Sequence, residues 1–376
     1  MKYAVFGAGL MGSAAVFSLL KEESTEKVFV FDVSRRALNK LSNRLSDSRI
    51  ICCGSELPFA LQAHKDLLYE CDAMLSTVPY SNNLYLANLA IETKTSMNDL
   101  GGNNTVVQEQ FKLSKLAEDV GITVVPDTGL TPGLSSLLTA LAIKNLDEVE
   151  NVNIRVGGLP QEPKGVLNYA LVFSVNGLIN EYVEPVEVLR NGKKKVVEPL
   201  TELEEISFYL NGEKKSFEAF MTSGGTSTMP RTLEGKVQNL DCKTIRYKGH
   251  CKYFKALYDL GLLSKPKVRL EIEKHLEDIL PKGEKDMILM RVTAEGYRNG
   301  KKAAVSYEMV DFYDEKSGFS AMQRTTAFTA AEITKMLAFG EIGEKGVIEQ
   351  ELYVPADLVL ERLRRKYDIK IYVRIS

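Results

Sequence analysis

The sequence predicts an α/β fold in two parts, a doubly wound parallel sheet followed by an α+β domain built on a mostly antiparallel sheet. Three observations predict it. Gly7, Gly9 and Gly12 follow directly on the apolar run Tyr3 to Phe6, and Asp32 stands twenty residues past the last of these glycines. Short apolar runs then alternate with helical stretches to about residue 150. Beyond that point the apolar segments lengthen, and Asn191-Gly192, Asn211-Gly212 and Asn299-Gly300 each separate two strand-like runs.

The first strand ends at Phe6, and Gly7-Ala8-Gly9-Leu10-Met11-Gly12 leads into a helix over residues 13–21. A glycine fingerprint between a strand and a helix, with an acid at the end of the next strand, marks a Rossmann dinucleotide site. Gly7 permits the tight turn, Gly9 removes a Cβ where a pyrophosphate meets the backbone, and Gly12 lets helix and strand pack closely. The first amides of the helix lack intrahelical partners and lie at the positive end of its dipole, so they hold phosphate without a cationic side chain. A strand over 28–31 delivers Asp32 and Val33 to the adenosine ribose. The carboxylate accepts from the ribose hydroxyls and repels a 2′-phosphate, which favours NAD over NADP, while Arg35 and Arg36 keep NADP open. Cofactor contacts are expected from the fingerprint residues Gly7, Gly9, Leu10, Met11 and Gly12, then Asp32, Val33, Val78, Pro79 and Gly101.

Further strands are expected over 50–53, 73–78, 96–100 and 122–126, with helices over 36–46 and 104–120 between them. In the second domain each Asn-Gly supplies the two positive φ angles of a type I′ turn, so three hairpins follow. Helices over 251–263 and 268–280 interrupt that sheet, and helical sequence returns over 321–339 and 355–366. The resulting division is a nucleotide domain over 1–130, completed by helices within 321–366, and a substrate and dimerisation domain over 131–320. The competing placement has those last helices capping the second domain. Residues 369–376 read as an added strand with no assigned neighbour.

Composition narrows the partners. With 376 residues, a formal charge of −2 and a pI near 6.1, the chain has no basic excess to attract nucleic acid or an anionic membrane. No apolar run is long enough to span a bilayer and the N-terminus enters a strand directly, so a cytoplasmic protein is expected. The five cysteines form no CxxC pair and read as reduced packing thiols, and the three histidines lack ligand spacing, so no metal site is expected. A homo-oligomer is expected, with a dimer favoured.

Ligands in open α/β sheets sit beyond the carboxyl ends of the strands. Three such ends concentrate polar and glycine residues: Thr77 to Asn83, Asn98 to Asn103, and Pro126 to Gly133. In the second domain the hydroxyl-rich loop Thr222 to Thr228, including Thr226 and Ser227, is suited to a carboxylate, with a flexible linker as the bland alternative. Arg246 can hold a carboxylate bidentately or belong to a surface ion pair, and His250 is a candidate base or simply a packed histidine. No GxSxG elbow, P-loop or paired metal-ligand motif occurs, so the chemistry falls to the cofactor.

At these residues the chain resembles the saccharopine dehydrogenase-like family. The resemblance rests on the glycine fingerprint, Asp99-Leu100-Gly101-Gly102-Asn103, Gly129-Leu130-Thr131-Pro132-Gly133, Val156 through Gln161, Thr222 through Pro230, and Lys243 through His250. It implies nicotinamide-dependent oxidation of an amine-bearing carbon, and is strongest to the branch that removes the ε-amine of L-lysine with NAD. A saccharopine-type reaction on a secondary amine is the neighbouring activity, and Tyr80 matches a tyrosine near the substrate in saccharopine reductases. A lysine ammonium, with a reference pKa of about 10.4, cannot release hydride until it loses a proton, so a base is required. His250 and Asp127 are ranked ahead of Asp99 for that role, with Arg246 and the 222–228 loop fixing the α-carboxylate. The alternative of another class is a non-catalytic NAD-binding sensor.

Overall fold

Strands that are apolar on both faces need cover on both faces, and helices returning between parallel strands provide it. The computed structural model describes residues 1–54 and 64–376 and builds its first sheet in this way. Its opening elements are β1 (Lys2–Phe6), α1 (Leu10–Leu20), β2 (Lys27–Asp32), α2 (Arg35–Leu45), β3 (Ile50–Gly54), α3 (Lys65–Tyr69) and β4 (Ala73–Ser76). There follow α4 (Asn83–Thr93), β5 (Ser96–Asp99), α5 (Asn104–Phe111), α6 (Ser114–Asp119), β6 (Thr123–Val125) and α7 (Leu134–Lys144). The core of β1 is complete: Tyr3, Ala4, Val5 and Phe6 are all buried, with Phe6 stacked on Phe31 of β2 at 5.1 Å.

The expected elements form, with two local differences. Helix α1 begins at Leu10 rather than residue 13, because Gly12 packs inside the first turn. The helix expected over 104–120 divides at Lys112-Leu113 into α5 and α6. No glycine or proline breaks it. Gln110 turns inward to donate to Asp99 at 2.8 Å, whereas Ser114 accepts from the Val347 amide at 3.0 Å. The break lets the chain serve both anchors.

The second sheet is built from β7 (Glu148–Pro160), β8 (Val186–Arg190), β9 (Lys193–Val197), β10 (Glu204–Leu210), β11 (Glu213–Met221), β12 (Val237–Arg246), β13 (Asp286–Arg298) and β14 (Lys301–Phe312). Helices α8 (Val175–Val183), α9 (Met229–Thr232), α10 (His250–Asp259) and α11 (Pro266–Ile279) interrupt it. Each Asn-Gly turns a hairpin, β8–β9, β10–β11 and β13–β14, with positive φ at both residues of every pair. The sheet is mixed: β7 runs parallel to β12 on one side and antiparallel to β13 on the other. Gly157 of β7 lies so close to Ile245 of β12 that a Cβ there would meet the Ile245 Cβ at 2.7 Å.

The chain ends with α12 (Ala321–Ala338), β15 (Gly346–Val347), α13 (Gln350–Tyr353), α14 (Ala356–Tyr367) and β16 (Ile371–Ile375). Strand β15 joins β6, giving a seven-stranded parallel sheet in the order β15-β6-β5-β4-β1-β2-β3. The order reverses between β1 and β4, the switch point where such sheets bind ligands. The segment that sequence left unplaced is β16, which pairs antiparallel with β14 at the edge of the second sheet. Two units result: Met1–Leu137 with Gln323–Asp368, and Leu138–Met322 with Ile369–Ser376.

The returning helices are pinned in the first unit by buried charge. Glu332 and Lys335, both 0% exposed, pair at 2.6 Å, and the Tyr367 hydroxyl donates to Glu332 at 2.5 Å. Breaking such a pair from one side leaves an uncompensated charge at a cost of about 3–5 kcal/mol, whereas replacing both partners by apolar groups costs less. Lys335→Met is therefore expected to lower the melting temperature sharply, and Glu332→Leu/Lys335→Met to melt above that single variant. A double variant melting below it would show that the pair is not the anchor.

Candidate functional site

In the first unit the fingerprint makes a cradle. Gly7, at φ +105°, ends β1, and a Cβ there would lie 2.6 Å from the Thr77 hydroxyl, which itself donates to the Phe6 carbonyl at 2.8 Å. A Cβ on Gly12 would overlap the Gly7 carbonyl, so only glycine lets α1 pack against the turn. At Gly9 a Cβ would meet nothing within 4 Å, and the residue is the N-cap of α1 with no side-chain cap and no acid in the first turn. Among the described residues nothing fills the place of that Cβ, which fits the approach of a dinucleotide pyrophosphate to the helix N-terminus. Asp32, at the end of β2, accepts from the Ala8 amide at 2.6 Å and the Ser34 amide at 2.7 Å. Each carboxylate oxygen keeps further acceptor capacity for ribose hydroxyls. Leu10 and Val33 are 62% and 66% exposed beside the glycine turn and the acid, while Met11 and Val78 are half-buried and Pro79 is exposed.

The loops after β5 and β6 are tied together. Asp99 is fully buried, and its carboxylate accepts from the Gly101 amide at 2.8 Å, the Asp127 amide at 3.2 Å and the Gln110 side chain at 2.8 Å. Burial pushes its carboxyl above the ordinary aspartate range, opposed by those three donors. Asp127, at φ +62°, places its carboxylate against Gly101, where any Cβ would overlap it. The Asp127 carbonyl accepts from Gln350 at 2.6 Å. Across the loop Tyr80 lies against Gly102, 3.2 Å from the place of its absent Cβ. Asp99 thus ties the two loops together, and Asp127, itself 2% exposed, packs its carboxylate against Gly101.

In the second unit a buried chain of hydrogen bonds ends on a guanidinium. His250 Nδ1 lies 2.9 Å from the Leu167 carbonyl and Nε2 lies 3.0 Å from the Tyr182 hydroxyl, which receives Arg246 Nε at 2.9 Å. With the imidazole neutral, only one proton arrangement satisfies all three. A carbonyl can only accept, so Nδ1 carries the proton and Nε2 accepts from the phenol, whose oxygen accepts from arginine. Burial, reinforced by the Arg246 charge, holds the imidazole down to about 3, so it is neutral. The guanidinium also donates to the Ile245 carbonyl at 3.0 Å, lies 5.1 Å from the centre of the Tyr169 ring, and faces Glu181 at 3.7 Å.

This geometry revises two sequence expectations. His250 has both nitrogens engaged inside the protein, so it orients Tyr182 and offers no lone pair to a substrate proton. The hydroxyls of the 222–228 loop are likewise spent on the fold. Thr222 bonds Thr244 at 2.7 Å, Ser223 donates to the Asn180 carbonyl and Thr226 to the Glu187 carbonyl, with Ser227 buried beside them. Arg246 is no surface ion pair but a buried cation. Sequence reading passed over Glu181, Tyr182 and Tyr169, which sit in segments without motif character. A signal was present in Glu181-Tyr182, the one charge in this helix followed directly by an aromatic.

Comparison with known proteins follows the same division. The model of the saccharopine dehydrogenase NADP binding domain matches residues 3–125, and that of the saccharopine dehydrogenase C-terminal domain matches residues 129–369. The mitochondrial alpha-aminoadipic semialdehyde synthase of Mus musculus is 24% identical over 451 residues, covering 96% of this chain and 46% of its own length. An NADP-linked, L-glutamate-forming saccharopine dehydrogenase of Pyricularia oryzae is 26% identical over 202 residues, covering 51% of this chain and 44% of its own. The chain thus spans about half the length of the curated relatives it matches. Among solved structures, the apo saccharopine dehydrogenase (L-Glu forming) of Saccharomyces cerevisiae aligns with TM-score 0.80 at 18% identity, covering 100% of this chain and 99% of that one. The homospermidine synthase of Legionella pneumophila in complex with NAD aligns with TM-score 0.72 at 12% identity, covering 100% and 91%. These structures share the fold.

The neutral histidine makes stability depend on pH. Unfolded, His250 titrates near its reference value of about 6.5, while the folded interior holds it at about 3. Protons therefore favour the unfolded state, and the stability is full above about 6.5 and lost as pH falls toward about 3, by up to about 1.4 kcal/mol per pH unit. Thermal melts at about pH 7 and about pH 5 are expected to show a shallower pH dependence for His250→Gln than for the parent. Equal slopes would mean that His250 is already charged when folded.

Proposed function

The chain belongs to the saccharopine dehydrogenase family, and from that premise we propose that it is a pyridine-nucleotide-dependent oxidoreductase acting on the ε-amine carbon of L-lysine. The products are the 6-semialdehyde, which cyclises onto its own α-amine, and ammonia. The observation that carries this reading is Arg246. Of the two buried guanidiniums in the second unit, Arg155 closes on Asp241 and Glu204, whereas the hydrogen bonds of Arg246 occupy only its Nε and one terminal nitrogen. A guanidinium carries five N–H donors, so Arg246 keeps capacity for one carboxylate. Lysine has one carboxylate. Saccharopine, in which the lysine amine is joined to a dicarboxylic acid, asks for more cationic capacity, and the names of the relatives favour it as the second reading.

In the first unit α1 would hold the pyrophosphate and Asp32 the ribose, and when bound the nicotinamide supplies the hydride acceptor. The protein's own task is proton handling. A lysine ammonium near pKa 10.4 must lose a proton before its carbon can give up hydride. Asp127, which follows β6 at the strand ends where ligands of open α/β sheets sit, is our choice of acceptor. The same carboxylate can then activate the water that releases ammonia. Asp32 supports NAD, since a 2′-phosphate would meet its negative charge, although the relatives' names carry NADP.

The test is absorbance of the reduced coenzyme with L-lysine or saccharopine, each with NAD or NADP, together with ammonia release. We expect turnover with L-lysine and NAD, and a shift of at least about tenfold toward NADP in Asp32→Ala. Arg246→Gln is expected to lower kcat/KM for lysine about tenfold to a hundredfold, the worth of a charged hydrogen bond, with coenzyme affinity unchanged. Turnover with saccharopine alone would move the assignment to the second reading.

A further inference from the structure

We propose that Glu181 and Arg246 form a two-charge receptor for the head of an α-amino acid, Arg246 taking the α-carboxylate and Glu181 the α-ammonium. This rests on the reading of Arg246 as a substrate-carboxylate site. The pair is set on rigid elements: Arg246 ends β12, and Glu181 lies in α8, where its carbonyl accepts from the Ser223 amide at 2.9 Å. Their charged atoms stand 3.7 Å apart, beyond the roughly 2.7–2.9 Å of a charge-assisted hydrogen bond, so neither group saturates the other. Exposure is asymmetric. The arginine side chain is 3% exposed and sealed by Tyr182 and Tyr169, while the glutamate side chain keeps 33%.

Charge balance favours a zwitterion. A monocarboxylate approaching Arg246 brings a second negative charge beside Glu181, and its attraction to the arginine is offset by repulsion from the glutamate. A zwitterion adds no net charge and gives each of the two charged groups an opposite partner. Burial, opposed by Arg246, pushes the Glu181 carboxyl up to about 7. An ammonium ligand reverses that desolvation penalty, so the site is more strongly charged when occupied than when empty. Glu181 is in this way a specificity determinant that separates amino acids from plain amines and from plain acids.

The two probes are L-norleucine, which has the α head but no ε-amine, and hexanoate, which lacks the α-amine as well. Calorimetric titration of the full chain is expected to show L-norleucine binding at least about tenfold more tightly than hexanoate, as one charge-assisted contact implies. Glu181→Gln should erase that preference by weakening L-norleucine alone, and Glu181→Asp should restore part of it, which separates recognition from misfolding. Equal affinities in the parent, binding of neither probe, or a preference that survives Glu181→Gln overturns the proposal. Because L-norleucine has no ε-amine, a Glu181-dependent preference in a protein that fails to oxidise lysine leaves the receptor standing and removes the lysine reaction. Oxidation of lysine without that preference does the reverse.

Discussion

A carboxylate cut off from water must be given its hydrogen bonds by the chain, and Asp99 imposes that demand on the first unit. It draws the loop after β5 toward itself through the Gly101 amide, the loop after β6 through the Asp127 amide, and α5 through Gln110. Its neighbour Asn98 donates to Thr128 and to the Ala330 carbonyl, so the returning α12 is held at the same strand end. Gly101 must be glycine because the Asp127 carboxylate occupies the volume of its Cβ. One sealed acid therefore gathers the loop after β5, the left-handed backbone at Asp127 and the end of α5 around itself.

The second unit solves the same problem for a cation. Arg246 is buried at the end of β12, and its support passes through a phenol and an imidazole to a backbone carbonyl. Every proton in that line has a fixed place, since reversing any one bond would set two donors or two acceptors face to face. Such a line gives little net energy per bond but leaves the guanidinium a single orientation. Elsewhere in this unit buried cations meet carboxylates, as Arg155 meets Asp241 and Lys243 meets Glu204. Fixing a cation with neutral groups and fixing it with an anion have different results. Arg246 meets its carboxylate, Glu181, only at 3.7 Å.

Much of this was legible in the sequence because it depends on local rules. The glycine fingerprint, the alternating elements and the three Asn-Gly turns each require particular φ angles or missing Cβ atoms, and these requirements are written residue by residue. The parallel pairing of β7 with β12, the edge position of β16 and the two-residue β15 depend on partners far along the chain, and local propensity is silent about them. The site divides in the same way. Asp32 and Asp127 are legible as polar residues ending strands. Nothing local marks Glu181 or Tyr182, and what His250 props is decided by what its two nitrogens touch. The hydroxyl-rich 222–228 loop misled for a related reason: composition shows that donors exist, not that Asn180 and Glu187 already accept them.

The path of the chain through the two units bears on how it folds. Ser18 of α1 meets Tyr367 of α14 at 2.6 Å, a bond between residues 349 positions apart. Ser18 therefore waits for a partner from the far side of residues 138–322, the larger part of the second unit. Contacts of such long sequence separation close slowly, and half-finished sheets expose apolar surface while they wait. The outer side of α1 is thus among the last surfaces of this unit to find its cover.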